Sequence, residues 1–295
     1  MYSGVRVAVV IPAFREEDRI AETVRSVPSF VDHVVVVDDA SDDATSAAAR
    51  AAGDTRLVLV RHAENRGVGA AILTGYREAR ALSADVAAVM AGDGQMDPLD
   101  LPAVVGPVAR GEADYVKGDR LRHPSVWKDM PLHRLLGTSA LAWMTRHAAG
   151  LPSLSDSQCG YTAIGAAAMD CLLHEGMWAR YGYPNDLLGT LARHGHRIHE
   201  VEVKPVYRGE ASGLRPWHVF TIGYVVGRVA ARRAASSLEA RWPRVSNGFS
   251  RDRRAGSSSR ISSPPKEPVS PDRHRTAAAS CRPEDLTDGR LSSGG

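Results

Sequence analysis

VRVAVVIPAFREED, residues 5–18, opens as a short Val-rich run, closes on Pro12 and passes into acidic Glu16 and Glu17. The same order, apolar run then polar turn, recurs in HVVVVD (33–38), TRLVLV (55–60) and DVAAVM (85–90). Short β-branched runs bounded by turn residues read as strands buried on both faces. Between them, residues around 17–27, 42–52 and 68–82 carry helical spacing. The succession is therefore β-α-β-α-β-α-β, and such crossovers imply an α/β fold with a mostly parallel central sheet and helices on both faces. A fifth strand follows at ADYVKG (113–118). Ligands of open sheets lie beyond the carboxyl ends of the strands, so the residues after each strand are the candidates for function.

Further along, the pattern changes to a long helical stretch around 131–148, a polar loop, a helix near 184–194 and a strand at RIHEVEV (197–203). Three regions result: a catalytic-type domain over 1–214, a basic amphipathic helical extension over 215–243, and a Ser/Pro/Arg-rich tail over 244–295. The tail has too few large apolar residues to offset the entropy of ordering, which predicts disorder. Of the 295 residues 43% are hydrophobic, enough for a sizeable core. Residues 244–295 carry ten basic and six acidic side chains and residues 214–243 five and one, about +4 each, which leaves about −5 on residues 1–213 of the net +3. The overall net charge of +3 is too balanced for a generic nucleic-acid binder. Cys159, Cys171 and Cys281 share no metal-type or disulfide-type spacing, which fits a reducing, cytoplasmic setting. No apolar run approaches the roughly 20 residues of a spanning helix. The first apolar segment leads into REEDR rather than a cleavage site, so it reads as a strand and not a signal peptide.

Four motifs fall at strand ends. VVIPAFREED (9–18) is weak alone. In VVVVDDASDDAT (34–45), Asp38 and Asp39 arrive at the sheet edge, where a carboxylate accepts hydrogen bonds from a base or ribose. Asp39 reads as a ligand residue, whereas Ser41 and Asp42 read as caps of the next helix. In NRGVGAAILTGYREA (65–79), Gly67 and Gly69 open a helix, which reads equally as a plain loop or as a place where backbone approaches a phosphate. AGDGQMDP (91–98) places Asp93 and Gln95 around a glycine: two oxygen ligands for Mg²⁺ or Mn²⁺ on a diphosphate, or simply an Asp-Gly turn. His194, His196 and His199 read first as a helix-to-strand junction, and Trp127, Trp143, Trp178 and Trp217 as packing or interfacial anchors.

Taken in order and at these spacings, together with KGDR (117–120), MPLHRLLG (130–137), SDSQCGYTAI (155–164), YGYPNDLL (181–188) and EVEVKPVYRGEAS (200–212), the motifs resemble the family 2 glycosyltransferases of GT-A fold. Within that family the similarity is to the dolichol- and polyprenyl-phosphate glycosyltransferase group, over roughly residues 5–215. The resemblance implies that Pro12, Phe14, Glu16 and Asp39 hold the nucleotide of a nucleoside-diphosphate sugar, with Gly67 and Gly69 beside it. It implies that Asp93 is the main metal ligand and that Gln95 completes the shell. Two positions depart from the family pattern: Ala91 stands where the metal motif has its first acid, and Val68 where a Lys is common.

On the acceptor side the resemblance places Arg120 and Arg134 near the acceptor phosphate, which suits a guanidinium fork, although a surface ion pair is the plainer reading. It places Asp156 near the reacting sugar, orienting it, since an ionised phosphate needs no strong base. Arg208 and Ser212 belong to a late loop that closes on the phosphates. The reaction implied is inverting, metal-dependent transfer of a sugar to a polyprenyl phosphate. Residues 215–243 are expected to contact anionic lipid through Trp217, Phe220, Tyr224, Val225, Arg228, Arg232 and Arg233, making the protein peripheral to the cytoplasmic membrane face. Packing of that helix on the body is the competing expectation. A small phosphorylated acceptor, or nucleotide-sugar binding without catalysis, are the rival functions.

Overall fold

The computed structural model describes residues 1–126, 130, 132–206 and 218–241. The Val-rich runs are strands as expected: β1 (Val7–Ala13), β2 (His33–Asp38), β3 (Leu57–Arg61) and β4 (Val86–Val89), followed by β5 (Tyr115–Asp119), β6 (Thr162–Gly165) and β7 (Ile198–Glu202). They form one seven-stranded sheet in the order β3-β2-β1-β4-β6-β5-β7. All neighbours run parallel except β6, which is antiparallel to β4 and β5. Among the described residues the helices are α1 (Ile20–Ser26), α2 (Thr45–Ala51), α3 (Val68–Ala81), α4 (Leu101–Ala109), α5 (Leu132–Ala149), α6 (Ala166–Glu175), α7 (Tyr183–Arg193) and α8 (His218–Arg241).

Alternation along β1 builds two cores, one on each sheet face. Val7, Val9 and Ile11 pack with Ile20, Val24 and the α4 residues Leu101, Val104 and Val105. Ala8 and Val10 face α3, α6 and α7 through Ile72, Tyr76, Met169 and Leu188. Every β1 side chain except the half-buried Pro12 is buried, as a central strand requires.

The segment expected as a polar loop before α7 contains β6 and α6. TAIG is too short for periodicity, and AAAMDCLLHE is Ala-rich with little apolar contrast, so neither stands out in sequence. The antiparallel β6 has a consequence for function. Its entry, residues 155–161, lies at the edge where β1, β2, β4, β5 and β7 end.

Residues 1–245 form one compact unit, so the 215–243 extension is not a separate body. Ile222, Val226 and Val229 of α8 pack with Ala148 and Ala149 of α5. Gly189 of α7 admits Val229: a Cβ there would lie 2.4 Å from the Val229 Cγ1. This corrects the expectation that the whole basic helix faces lipid. Val225 is fully buried. Arg228 and Arg232 reach the buried Asp186 at 3.4 and 3.6 Å, and Arg233 donates to the His147 carbonyl at 3.0 Å. Phe220 and Tyr224 remain exposed. Trp217 and the tail over 244–295 lie outside the described residues.

Candidate active site

A cleft opens beyond the strand ends, between the turn after β4 and the residues that follow β5 and β7. Asp93 and Gln95 line one side, Arg120 and Lys204 the other, with Gln158 and Tyr161 contributed by the entry to β6.

The β4 turn is organised by its own side chains. Asp93 Oδ1 accepts from the Gln95 N–H at 2.9 Å, and Gly94 takes a φ of +70° that lets the chain reverse. Asp97 Oδ1 accepts from the Leu99 N–H at 3.0 Å, and the Tyr161 hydroxyl donates to the Asp97 carbonyl at 3.0 Å. Because β1 pairs with β4, the residues after β1 flank this turn. A Cβ on Gly92 would lie 3.4 Å from both the Glu16 Cγ and the Pro12 carbonyl oxygen. Burial, and then the charge of Asp93, push the Glu16 carboxyl up to about 7. Phe14 is exposed, with the Arg15 guanidinium 5.1 Å from its ring centroid.

These residues fit a divalent cation by donor chemistry. A carboxylate and an amide oxygen are hard ligands, and Mg²⁺ characteristically takes one or two carboxylates and fills its octahedron with phosphate oxygens and water. Among the described residues no three His, Cys, Asp or Glu side chains converge.

Opposite the turn, Arg120 is clamped by Asp156, with Nε to Oδ2 at 2.8 Å and Nη2 to Oδ1 at 3.2 Å. Asp156 has no exposed surface and also accepts from the Gln158 and Cys159 N–H groups at 2.9 and 3.1 Å. Burial works to raise its carboxyl, but the Arg120 charge and hydrogen bond, with Lys117 nearby, outweigh burial and hold it below the ordinary aspartate range. Asp156 is thus an ionised anchor for a guanidinium, and the structure does not turn it toward open space. Glu200 of β7 steadies the same loop, accepting from the Ser155 and Asp156 N–H groups at 2.8 and 3.0 Å. Lys117 is buried beneath, donating to the Cys159 carbonyl, and burial pulls its ammonium down.

At the ends of β1 and β2 three groups of residues have roles within the protein. Asp39 accepts from the Arg66 N–H at 2.9 Å and the Gly67 N–H at 2.7 Å, and pairs with His62 Nδ1 at 2.6 Å. Its carboxylate fastens the start of α3 to the end of β2. Gly67 and Gly69 do admit a close backbone, but it is the protein's own: a Cβ would meet the Ala179 carbonyl oxygen at 2.6 Å from Gly67 and the Trp178 carbonyl oxygen at 2.2 Å from Gly69. The Gly69 and Ala70 N–H groups donate to Ala179 at 2.8 and 3.3 Å. Of the two readings of these glycines, the plain loop is the one these contacts favour, because the Gly67 and Gly69 N–H groups are engaged by Asp39 and Ala179. Ser41 and Asp42 do not cap α2. They accept from the Arg15 N–H and guanidinium, and the N–H of Thr45, where α2 begins, donates to Asp43 at 3.0 Å.

His62, Lys117, Glu200 and Asp186 escape sequence reasoning, since each acts through a partner distant in the chain. A polar residue inside an apolar run, as Lys117 is in ADYVKG, is the one signal available. Arg208, Ser212, Trp127 and the side chain of Arg134 lie outside the described residues. The Trp178 ring stands 5.8 Å from Tyr224 and 5.7 Å from the Arg228 guanidinium, in packing contacts.

Residues 8–172 match the family model described as glycosyl transferase family 2. A UDP-N-acetylglucosamine–dolichyl-phosphate N-acetylglucosaminyltransferase of Methanococcus voltae is 29% identical over 214 residues, spanning 68% of this chain and 85% of the relative. An undecaprenyl-phosphate mannosyltransferase of Micrococcus luteus is 30% identical over 245 residues, 81% of this chain and 96% of the relative. Among solved structures, glucosyl-3-phosphoglycerate synthase of Mycobacterium tuberculosis with Mn²⁺, UDP and phosphoglyceric acid superposes with a TM-score of 0.57 at 23% identity, over 79% of each chain. The same enzyme with phosphoglyceric acid alone gives 0.55 at 26%, over 79% of this chain and 80% of that one. The fold is thereby the GT-A fold.

Proposed function

The chain belongs to glycosyl transferase family 2, and we propose that it moves a sugar from a nucleoside-diphosphate donor to a polyprenyl phosphate, with inversion at the anomeric carbon. The observation that carries this reading is the cleft itself, with Asp93 and Gln95 on one wall and the Asp156-clamped Arg120 on the other. The two relatives that act on dolichyl and undecaprenyl phosphate support the acceptor class.

In this reading the nucleoside lies at the ends of β1 and β2, near Pro12, Phe14 and Asp39, and the diphosphate points toward Asp93. Because Asp39 spends both its oxygens on the loop before α3, its part is to shape the nucleoside pocket as much as to contact it. Asp93 and Gln95 would hold Mg²⁺ or Mn²⁺, which when bound would neutralise charge on the leaving diphosphate. Arg120, fixed in orientation by Asp156, places its positive charge toward the acceptor phosphate, and Arg134, Arg208 and Ser212 are assigned to the same phosphates. An acceptor phosphate oxygen then bonds to the anomeric carbon as the bond from that carbon to the diphosphate oxygen breaks. No proton is abstracted, because the acceptor is already ionised at neutral pH. Asp156 is accordingly a positioning residue: it pre-aligns the guanidinium, and alignment of reactants is worth several kcal/mol.

A lipid-linked acceptor brings the enzyme to the cytoplasmic face of an anionic membrane as a peripheral protein. No helix among the described residues is long and apolar enough to cross a bilayer. The exposed Phe220 and Tyr224 of α8 support surface contact, on a smaller area than the full helix.

A second reading, a small phosphorylated acceptor, is favoured by the likeness to the phosphoglycerate-binding synthase. A panel of labelled nucleotide sugars given farnesyl phosphate or 3-phosphoglycerate with Mn²⁺ tests the proposal. Label extracted into organic solvent supports it, and label only in a water-soluble product selects the second reading.

A further inference from the structure

We infer that α5 and α8 together form an apolar face that docks on a phospholipid surface, holding it by inserted side chains more than by ionic attraction. This deepens the polyprenyl-phosphate reading above, on which it rests, and it brings α5 into a contact so far drawn from α8.

The first observation is where apolar surface is left over. Among the described residues twelve large apolar side chains are exposed, and seven of them lie on these two helices. Leu132, Leu136 and Trp143 stand four and seven residues apart along α5, and Phe220, Tyr224 and Leu238 four and fourteen apart along α8. Those intervals put each set on one stripe of its helix. All six are between 60% and 82% exposed, and the exposed Gly227 and Ala231 continue the α8 stripe without a charge. Single exposed leucines need no explanation, whereas a contiguous apolar patch marks an interaction surface.

The second is that the two stripes share a side of the molecule. Both helices rest on α7: Thr145 Oγ1 donates to Asn185 Oδ1 at 2.6 Å, and Val229 enters the space above Gly189. They also meet each other, through Ala148, Ala149, Ile222 and Val226. With their inner faces committed to α7 and to one another, α5 and α8 turn their remaining faces outward.

The third is charge, which selects the occupant. α5 carries Arg134 and Arg146 and no acid, and α8 carries four arginines against Glu239 alone. The other residues of 1–213 hold twenty basic and twenty-seven acidic side chains, so the apolar stripes sit on the basic part of an acidic body. That arrangement complements anionic headgroups, whereas a second copy would bring the same arginines against each other. Trp143 and Tyr224 combine an apolar body with a polar tip, the build of residues at the headgroup level. Arg228 and Arg232 are turned to Asp186, which leaves insertion as the larger part of the contact. No helix among the described residues can cross a bilayer, so α5 and α8 lie in the interface plane. The helices begin twelve residues after Arg120 and Val206, both of which line the cleft, so the chain leads from the acceptor wall to the lipid face.

The test is flotation of the full chain with vesicles of phosphatidylcholine, with and without phosphatidylglycerol. The chain should float with the mixed vesicles and stay bound in about 1 M salt, where exposed charges are screened within about 3 Å. Leu136→Asp and Phe220→Asp should each lower the bound-to-free ratio about tenfold or more, while Leu136→Met and Phe220→Trp retain it. Melting temperatures should not fall, because both positions are exposed. Release of the parent by salt, with Leu136→Asp binding like the parent at low salt, overturns the inserted face. A parent that sediments as a dimer, and a Leu136→Asp monomer that floats as the parent does, reassigns the face to contact between copies and overturns the proposal. Transfer to farnesyl phosphate by a chain that never floats overturns the face and leaves the acceptor reading standing. Flotation of a chain that labels only 3-phosphoglycerate supports the face and overturns the acceptor reading.

Discussion

Gly69→Ala separates packing from phosphate binding at the start of α3. The added Cβ would sit 2.2 Å from the Trp178 carbonyl oxygen and 3.0 Å from that of Ala179, against about 3.4 Å for ordinary contact. Relief requires the 178–179 backbone to retreat by about 1.2 Å. That same backbone accepts from the Gly69 and Ala70 N–H groups at 2.8 and 3.3 Å, so retreat breaks both hydrogen bonds. Each is worth about 1 kcal/mol, and overpacking adds roughly 1–3 kcal/mol. Ala returns about 1 kcal/mol over Gly in a helix. The net expectation is a loss of about 2–4 kcal/mol. Gly227→Ala in α8 is the control, because nothing lies within 4 Å of its Cβ position and the substitution should stabilise by up to about 1 kcal/mol. Urea unfolding of both variants checks the signs. A Gly69→Ala protein as stable as its parent but unable to bind a nucleoside diphosphate would refute the packing argument and restore the phosphate one.

Three further outcomes are expected. Asp156→Asn leaves Arg120 without its counter-charge in a pair whose carboxylate is fully buried, so unfolding free energy should drop by about 3–5 kcal/mol at pH 7. Since the folded-state carboxyl lies below its unfolded value, the deficit should be present above about pH 4 and shrink as acid protonates the parent; a constant deficit down to pH 2 contradicts the pairing. Glu16 is raised to about 7, so the folded chain holds a proton there that the unfolded chain releases near 4.3. Without metal, stability should therefore decline as pH rises from about 4.3 to 7, and Glu16→Gln should flatten this slope in melting curves recorded in EDTA. Asp186→Asn should loosen α8 from α7, raising hydrogen exchange at residues 222–229; unchanged exchange shows that the apolar contacts of Ile222 and Val229 hold the helix by themselves.

What was legible in the sequence tracks how locally each feature is determined. The Val-rich strands and the sites at their ends need only periodicity and the rule of strand ends, and Asp93, Gln95 and Arg120 do line one cleft. The direction of β6 and the existence of α6 depend on pairing with β4 and β5, for which four residues of TAIG carry no pattern. Gly67 and Gly69 announce that something approaches closely without saying what, and the answer lies 110 residues away in Ala179. The clamp of Arg120 by Asp156 joins residues 36 apart, and the pairing of Asp39 with His62 joins residues 23 apart. Charge arithmetic marked residues 215–243 as basic, but it has no information on direction, and two of those arginines point inward to Asp186.

The most direct test of the central claim is a competition in one vessel. Farnesyl phosphate and 3-phosphoglycerate at equal concentration share one labelled nucleotide sugar with Mn²⁺, and the label is partitioned between butanol and water after a single short incubation. Transfer to a polyprenyl phosphate predicts that most product label enters the organic phase and that Asp93→Asn removes it. Product label confined to the aqueous phase, at a rate that farnesyl phosphate does not reduce, would contradict the account.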